Sequence, residues 1–424
     1  MHPIRRAAAW SKGIPGGRDG RRMLAVALVD RVGSGLWASV SVLYFTYVCG
    51  LSVAQVGTLV AAASAIGIAG APIGGRLADR FPLTRVLPTV QLLRALASFA
   101  LLTTDDYALL LAFTAVGALG DRAASVLTRL YATRVAGPDR VRYQAVQRTV
   151  ANAGWALGGL AAAAALALNT STAYQWLLTG DALSFLASAL LILRCAEPPS
   201  PSRTVATSKD PGPTARLANP WRDRTYLAYV ATETVLSLHD AVFKVGLPLW
   251  IAHTDNAPHG LAPLLLVLNN VLVVALQVPL ARFGATTTAA RNLLLPLSVA
   301  FALGGATMAL SATGGPLLAT LLLTAAAVAF TLAEILHATV SWEISVALAP
   351  ATSQGAYLGV HGLAQSAQRS VGPLAVTAAI ATGPIGWTAF GATIGLTCLI
   401  QHRTVRDRLA RTPLSVPPVT VSEH

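Results

Sequence analysis

Apolar runs long enough to span a bilayer recur along this chain from Met23 almost to its C-terminus, parted by short polar breaks. A bilayer core requires a helix of roughly 20 apolar residues. The pattern predicts twelve such helices, at about 23–48, 52–76, 84–103, 107–133, 145–168, 173–194, 224–251, 261–282, 290–311, 315–342, 355–380 and 382–402. Barrel strands are excluded by run length, because they alternate over only about ten residues. The expected fold is therefore all-α and integral to the membrane, with the helices grouped into two bundles of six.

A segment rich in Pro, Ser, Thr and charge divides those bundles. The expected organisation is a basic tail (1–22), an N-terminal bundle (23–195), a linker (196–222), a C-terminal bundle (223–402) and a second tail (403–424). A short repeat supports the division: Leu77-Ala78-Asp79-Arg80-Phe81 follows the second helix, and Leu280-Ala281-Arg282-Phe283 follows the eighth, without the acid. Parallel halves of this kind are a transporter architecture, with the substrate site near the midplane between them.

Charge sharpens the picture. The chain of 424 residues is 54% hydrophobic and only 12% charged, yet its formal net charge is +13. The basic residues cluster in the N-terminal tail, in even-numbered breaks and at the C-terminus; the odd-numbered breaks contain none. That is the positive-inside pattern, which predicts both termini in the cytoplasm and argues against nucleic acid as the partner. The tenth break is the exception, with no basic residue. The first run is too long for a cleavable signal and carries Asp30-Arg31. Cys49, Cys195 and Cys398 fall near opposite membrane faces, so inert thiols are expected. Only Lys12, Lys209 and Lys244 are lysines among 31 basic residues, a bias that fits a high-GC bacterial genome and a plasma-membrane location.

Charge inside a bilayer is costly and faces a cavity or a partner. Asp30, Ser34, Trp37, Ser41 and Tyr44 share one face of the first helix. The fourth helix carries Asp121 and Arg122, and the fifth Asn152 and Trp155. The seventh has Glu233, Asp240 and Lys244, the last two spaced to pair along their own helix. Asn269 lies in the eighth, Phe330, Glu334 and His337 in the tenth, and His361, Gln365 and Arg369 in the eleventh. Arg94, Arg129, Arg148 and Asp181 read as structural ion pairs or snorkelling ends. Asp30 and Glu334, and less clearly Asp121, are the expected proton carriers, because burial lets an acid hold a proton when shut off and lose it when wetted. Trp37, Tyr44, Trp155 and Phe330 are expected to form an apolar wall; Arg122, Asn152, Glu233, Asp240, Asn269, His337, His361, Gln365 and Arg369 complete the expected substrate cavity.

Gly75, Leu77, Ala78, Asp79 and Arg80 follow the pattern Gly-x-Leu-Ala-Asp-Arg-x-Gly-Arg-Arg, and on them the chain resembles the major facilitator superfamily from about 23 to 402. Pro82 replaces the second glycine, and Leu83 and Thr84 replace the paired basics, leaving Arg85 one place late. The resemblance implies that Gly75, Asp79, Arg80 and Arg85 form a cytoplasmic latch of the outward-facing state, weakened or completed elsewhere. The fifth helix is similar to that of drug/proton antiporters at Gly154 and Gly158, but has Gly159 in place of proline and Ala162-Ala163 in place of glycines.

The leading expectation is proton-coupled efflux of a small amphiphilic or cationic compound by a monomer, with protons and lipid as its other partners. The alternative is uptake or facilitated passage of an anionic solute held by Arg122, Lys244 and Arg369. A non-transporting sensor ranks lower, for want of an output domain. No cofactor, metal cluster, nucleotide loop or nucleophile constellation is visible, so an enzyme is not expected.

Overall fold

The computed structural model describes residues 13–167, 170–201, 218–254, 257–258 and 260–411. Much of the predicted linker (202–217) and the outer parts of both tails, with Arg5, Arg6, Lys12, Arg203, Lys209 and Arg216, lie outside them. Among the described residues there is no strand. The N-terminal helices are α1 (Gly17–Tyr47), α2 (Val53–Arg80), α3 (Leu83–Ala100), α4 (Tyr107–Ala136), α5 (Arg140–Leu166) and α6 (Ser171–Leu193). The C-terminal ones are α7 (Arg224–His253), α8 (Leu261–Ala281), α9 (Thr287–Leu310), α10 (Pro316–Leu348), α11 (Gln354–Ala381) and α12 (Gly383–Arg411). Ten described spans are long and apolar enough to cross a membrane. One of these, Tyr107–Leu166, contains both α4 and α5, parted by a 3-10 turn at Gly137–Asp139.

Local chemistry sets the helix starts. Ser52 and Gln55 form a capping box at α2, and Asp106 and Asp223 accept the Leu109 and Tyr226 amides, each at 3.0 Å. α7 departs from the continuous helix expected: a 3-10 turn at Ser237–His239 and a π turn at Val242–Gly246 interrupt it in mid-course. Such turns inside a helix concentrate at functional sites.

Small residues draw helices together. The glycines compared with the antiporter pattern do this for α5, because a Cβ at Gly154 or Gly158 would strike the Leu28 or Val32 carbonyl of α1. Apolar side chains remain exposed outside, among them Leu92, Leu93 and Leu96 on α3 and Val267, Val271 and Val274 on α8. With no water to compete for backbone groups, helices that satisfy their own hydrogen bonds and present such a surface suit a lipid environment. The chain is a multi-pass membrane protein.

The two halves meet at one end. Ala196, just past α6, accepts the Tyr131 hydroxyl from the end of α4 (2.6 Å), and its amide donates to Asp19 at the start of α1 (3.3 Å). At this end, which carries the basic breaks, Trp342, Val346 and Leu358 of the C-terminal half join the core of the N-terminal half. Val141 and Ala145 of α5 likewise pack with Val278 and Ala281 of α8.

Candidate functional site

A cavity of about 370 Å³ lies between the halves, walled by α1, α4 and α5 on one side and α7, α10 and α11 on the other. Of the residues expected there, Asp30, Asp121, Asn152, Trp155, Asp240, His337, Gln365 and Arg369 line it. Arg122 and His361 instead line a small side pocket that shares Arg129, Trp342, Gln365 and Arg369 with it.

The aromatic wall does not form. Tyr44 is 2% exposed and donates its hydroxyl to the Leu101 carbonyl (2.8 Å), while Trp37 packs edge-on against Tyr44 and Phe45. Phe330 is fully buried against Phe301 and Gly304. These side chains gain more from close packing inside a half than from facing a polar space. Trp155 and Trp342 are the indole rings on the cavity wall.

The expected proton carriers have arginine partners on other helices. Asp30 accepts Arg94 Nη1 at 2.6 Å and Gln91 Nε2 at 3.0 Å. Arg94 also lies 3.6 Å from Asp121, which lies 3.8 Å from Arg369 across the cavity. Glu334 accepts Arg148 Nη2 at 2.6 Å and Asn269 Nδ2 at 3.0 Å, so Asn269 positions an ion pair behind the wall. Asp240 does not form the expected pair with Lys244; it sits 3.4 Å from His239 Nε2. The 3-10 and π turns have displaced the spacing on which an i, i+4 pair depends. Glu233 is 1% exposed, behind His337.

Arg129 and Arg148, which read in the sequence as structural, line the cavity, as do Gln277 on the polar stretch of α8 and Arg31, His239 and Trp342, which the sequence does not single out for the site. Arg129 and Arg148 carried a signal, lying on the polar faces of α4 and α5, but a single helix does not disclose its cross-helix partners.

At the closed end Asp79 accepts the backbone amides of Gly355 (2.9 Å) and Ala356 (2.7 Å), in the first turn of α11. A carboxylate there meets free N–H groups and the positive end of the helix dipole. Gly75 lets the chains approach: a Cβ on it would overlap the Gly355 carbonyl. Arg80 and Arg85 are exposed, and no ion pair to either is found among the described residues; the Arg134 guanidinium of α4 lies 3.9 Å from the Asp79 carboxylate. Where the paired basics are missing, Glu197 caps α3 instead, accepting the amides of Leu83 (3.0 Å) and Thr84 (2.8 Å). A second clasp, unforeseen, joins Arg140 of α5 to Glu343 of α10 through two hydrogen bonds of 2.9 and 2.6 Å, and Thr287 donates to the same acid at 3.0 Å.

Among the described residues no group of His, Cys, Asp and Glu is placed to hold a metal ion. No curated protein sequence matches the chain. Solved structures do match it in fold. FucP, the Escherichia coli fucose:proton symporter, in its outward conformation shares 17% identity at a TM-score of 0.70, over 92% of this chain and 98% of FucP. A bacterial homologue of the iron transporter ferroportin, outward-facing, shares 14% at 0.66, over 93% of this chain and all of that one. The human organic anion transporter MFSD10 shares 17% at 0.61, over 93% and 100%. The family model of the Major Facilitator Superfamily covers residues 23–373, and with the helical halves, the cavity between them and the Asp79 clasp it establishes that this chain belongs to that superfamily of membrane transporters.

Proposed function

We propose that this protein carries a small anionic solute across the plasma membrane by alternating access. The observation that carries this reading is the charge of the cavity wall: Arg31, Arg129, Arg148, Lys244 and Arg369 face three acids, Asp30, Asp121 and Asp240. Behind the wall Arg94 matches Asp30 and Glu334 matches Arg148, so with these partners six cations meet four acids; the Arg129 guanidinium rests 5.8 Å over the Trp342 ring, with no ion pair to it among the described residues. Guanidinium groups without a counter-charge in a poorly solvated space favour a carboxylate or phosphate ligand. The volume suits a metabolite-sized solute.

The basic, closed end is the cytoplasmic end by the distribution of Lys and Arg. The cavity then faces outward, and the transport step is the parting of the Asp79 and Arg140 clasps as the far end closes. Efflux of a cation retains one supporting feature, Asp240, whose side chain is 43% exposed on the wall.

Proteoliposomes separate the two. Uptake of small organic acids or phosphate esters, reduced at least about tenfold in Arg129→Gln and Arg369→Gln, supports the anion reading. Passage of fluorescent cations lost in Asp240→Asn, with anions excluded, overturns it.

A further inference from the structure

Behind the C-terminal wall lies a buried acid whose close charged neighbour is a histidine. His337 Nε2 is 3.0 Å from Glu233 Oε1, close but off the hydrogen-bond axis. The same oxygen accepts the Ser341 hydroxyl, and Gln401 Nε2 donates to Oε2 at 3.2 Å. The His337 ring stands edge-on to His239 at 5.0 Å, and His239 sits beside Asp240; all three line the cavity. Among the described residues, His239 Nε2, His337 Nε2, His361 Nδ1 and Gln401 Oε1 are buried with no aligned hydrogen-bond partner. Such atoms are rare in folded proteins and call for an explanation.

Asp30, Asp121, Glu334 and Glu343 each face arginine. A guanidinium does not release its proton, so in those pairs the arginine itself cannot exchange one. Asp181 accepts Ser98 at 3.2 Å between α6 and α3, and does not line the cavity. The Glu233–His337 pair differs, because imidazole gains and loses a proton near neutral pH. With the proton the pair is an ion pair of zero net charge. Without it a lone carboxylate is left in a low-dielectric core, an arrangement of high energy.

We propose that Glu233 and His337 form the proton-exchange site of this transporter, reached from the cavity past Asp240 and His239, and that its proton loads together with an anion in the cavity. The second clause rests on the anion reading; the first does not. One proton passes from a hydronium ion in the cavity to the His337 imidazole: an O–H bond breaks and leaves water, an N–H bond forms, and Glu233 stays ionised beside it.

The surrounding groups set the coupling. On its own helix Glu233 has Tyr229; α11 supplies His361, stacked on Tyr229 at 5.8 Å, and Tyr357; α12 supplies Gln401 and Cys398. α10 supplies Ser341 and, one turn before His337, Glu334 bound to Arg148 of α5. Arg129 of α4 shares the side pocket with His361. The cations Arg129, Arg148 and Lys244 on the cavity wall oppose a further positive charge on His337. An anion among them relieves that opposition, so anion and proton each strengthen the binding of the other.

The test uses the purified full chain. Proton binding by the ligand-free protein, titrated across the histidine range, falls by about one proton in Glu233→Gln, although no histidine is removed. Glu233→Asp, which keeps the carboxylate, matches wild type, and elution as a single species shows that each variant is folded. Equal proton binding by wild type and Glu233→Gln overturns the site. Thermal stabilisation by succinate and by inorganic phosphate then reads the coupling. Apparent affinity in wild type weakens by up to about tenfold per pH unit as pH rises through the histidine range, and is flat in Glu233→Gln. Affinity independent of pH in wild type overturns the coupling and leaves the site. If neither probe stabilises the protein at any pH, the coupling to these anions fails, and the titration alone decides the site.

Discussion

Where α2 meets α11, the contact is backbone against backbone: Gly75 lies on Gly355, and Asp79 holds two amides of the first turn of α11. Where α8 meets α5, the equivalent stretch of the second half offers Val278 and Ala281 to Val141 and Ala145, an apolar contact. Asp79 has no counterpart in the short repeat: Ala281 runs straight on to Arg282, whose guanidinium lies 4.9 Å over its neighbour Phe283 and is not the clasp. The charged clasp on this side comes from other helices, Arg140 of α5 and Glu343 of α10. Two related segments thus reach the same closed end by different chemistry. A glycine pair and a capping acid serve one, while packed methyl groups beside a distant ion pair serve the other. The repeat preserves where the halves touch, and each half has its own means of touching.

A reporter at the closed end breaks or sharpens this comparison. Val141 is 5% exposed within the α5–α8 contact, and alkylation of Val141→Cys, with the native cysteines replaced, measures opening there. The largest effect is expected from Arg140→Gln, because it strands Glu343, which is 1% exposed. Removing one partner of a buried pair costs about 3–5 kcal/mol, enough to abolish the closed state, and Glu343→Gln on top restores most of it. Labelling unchanged in Arg140→Gln would mean that the ion pair is incidental.

Gly75→Ala comes next. Its Cβ meets backbone that cannot step aside, so the closed state loses about 1–3 kcal/mol and labelling rises by about 5- to 150-fold. Asp79→Asn keeps the shape but replaces one acceptor with a donor facing an amide; about 1.5 kcal/mol is lost, near tenfold in labelling. Val278→Ala, which trims an apolar contact, shifts the balance by about 1 kcal/mol or less. If Val278→Ala outranked Asp79→Asn, the methyl contacts and not the capping acid would govern closure.

The lengths of the apolar runs made the helices legible, because no other structure hides 20 residues of backbone from lipid. The interruption of α7 was not, since its sequence contains no proline between Glu233 and Gly246 to announce the turns. Helical spacing also located most of the polar faces around the cavity. It did not show which side chains on those faces look inward, and Trp37, Tyr44 and Phe330 went to packing instead. Ion pairs between helices left no mark in the local sequence: Arg94 and Asp30 are 64 residues apart, and Arg140 and Glu343 are 203 apart. Gly75 and Asp79 stand where α2 meets α11, on a motif local enough to be seen in the sequence. The backbone amides that Asp79 accepts from have no side-chain signature at all.

The clasp at Asp79 carries a further consequence for the medium in which the protein works. Asp79 is 7% exposed; it accepts from two backbone amides, and the Arg134 guanidinium 3.9 Å away is buried as well. Mobile ions screen charges in water within about 10 Å at 0.1 M salt, but enter a buried contact poorly. Closure on this side should therefore hold over a wide range of ionic strength, whereas the exposed Arg80 and Arg85 are free to respond to salt or to anionic headgroups without loosening it.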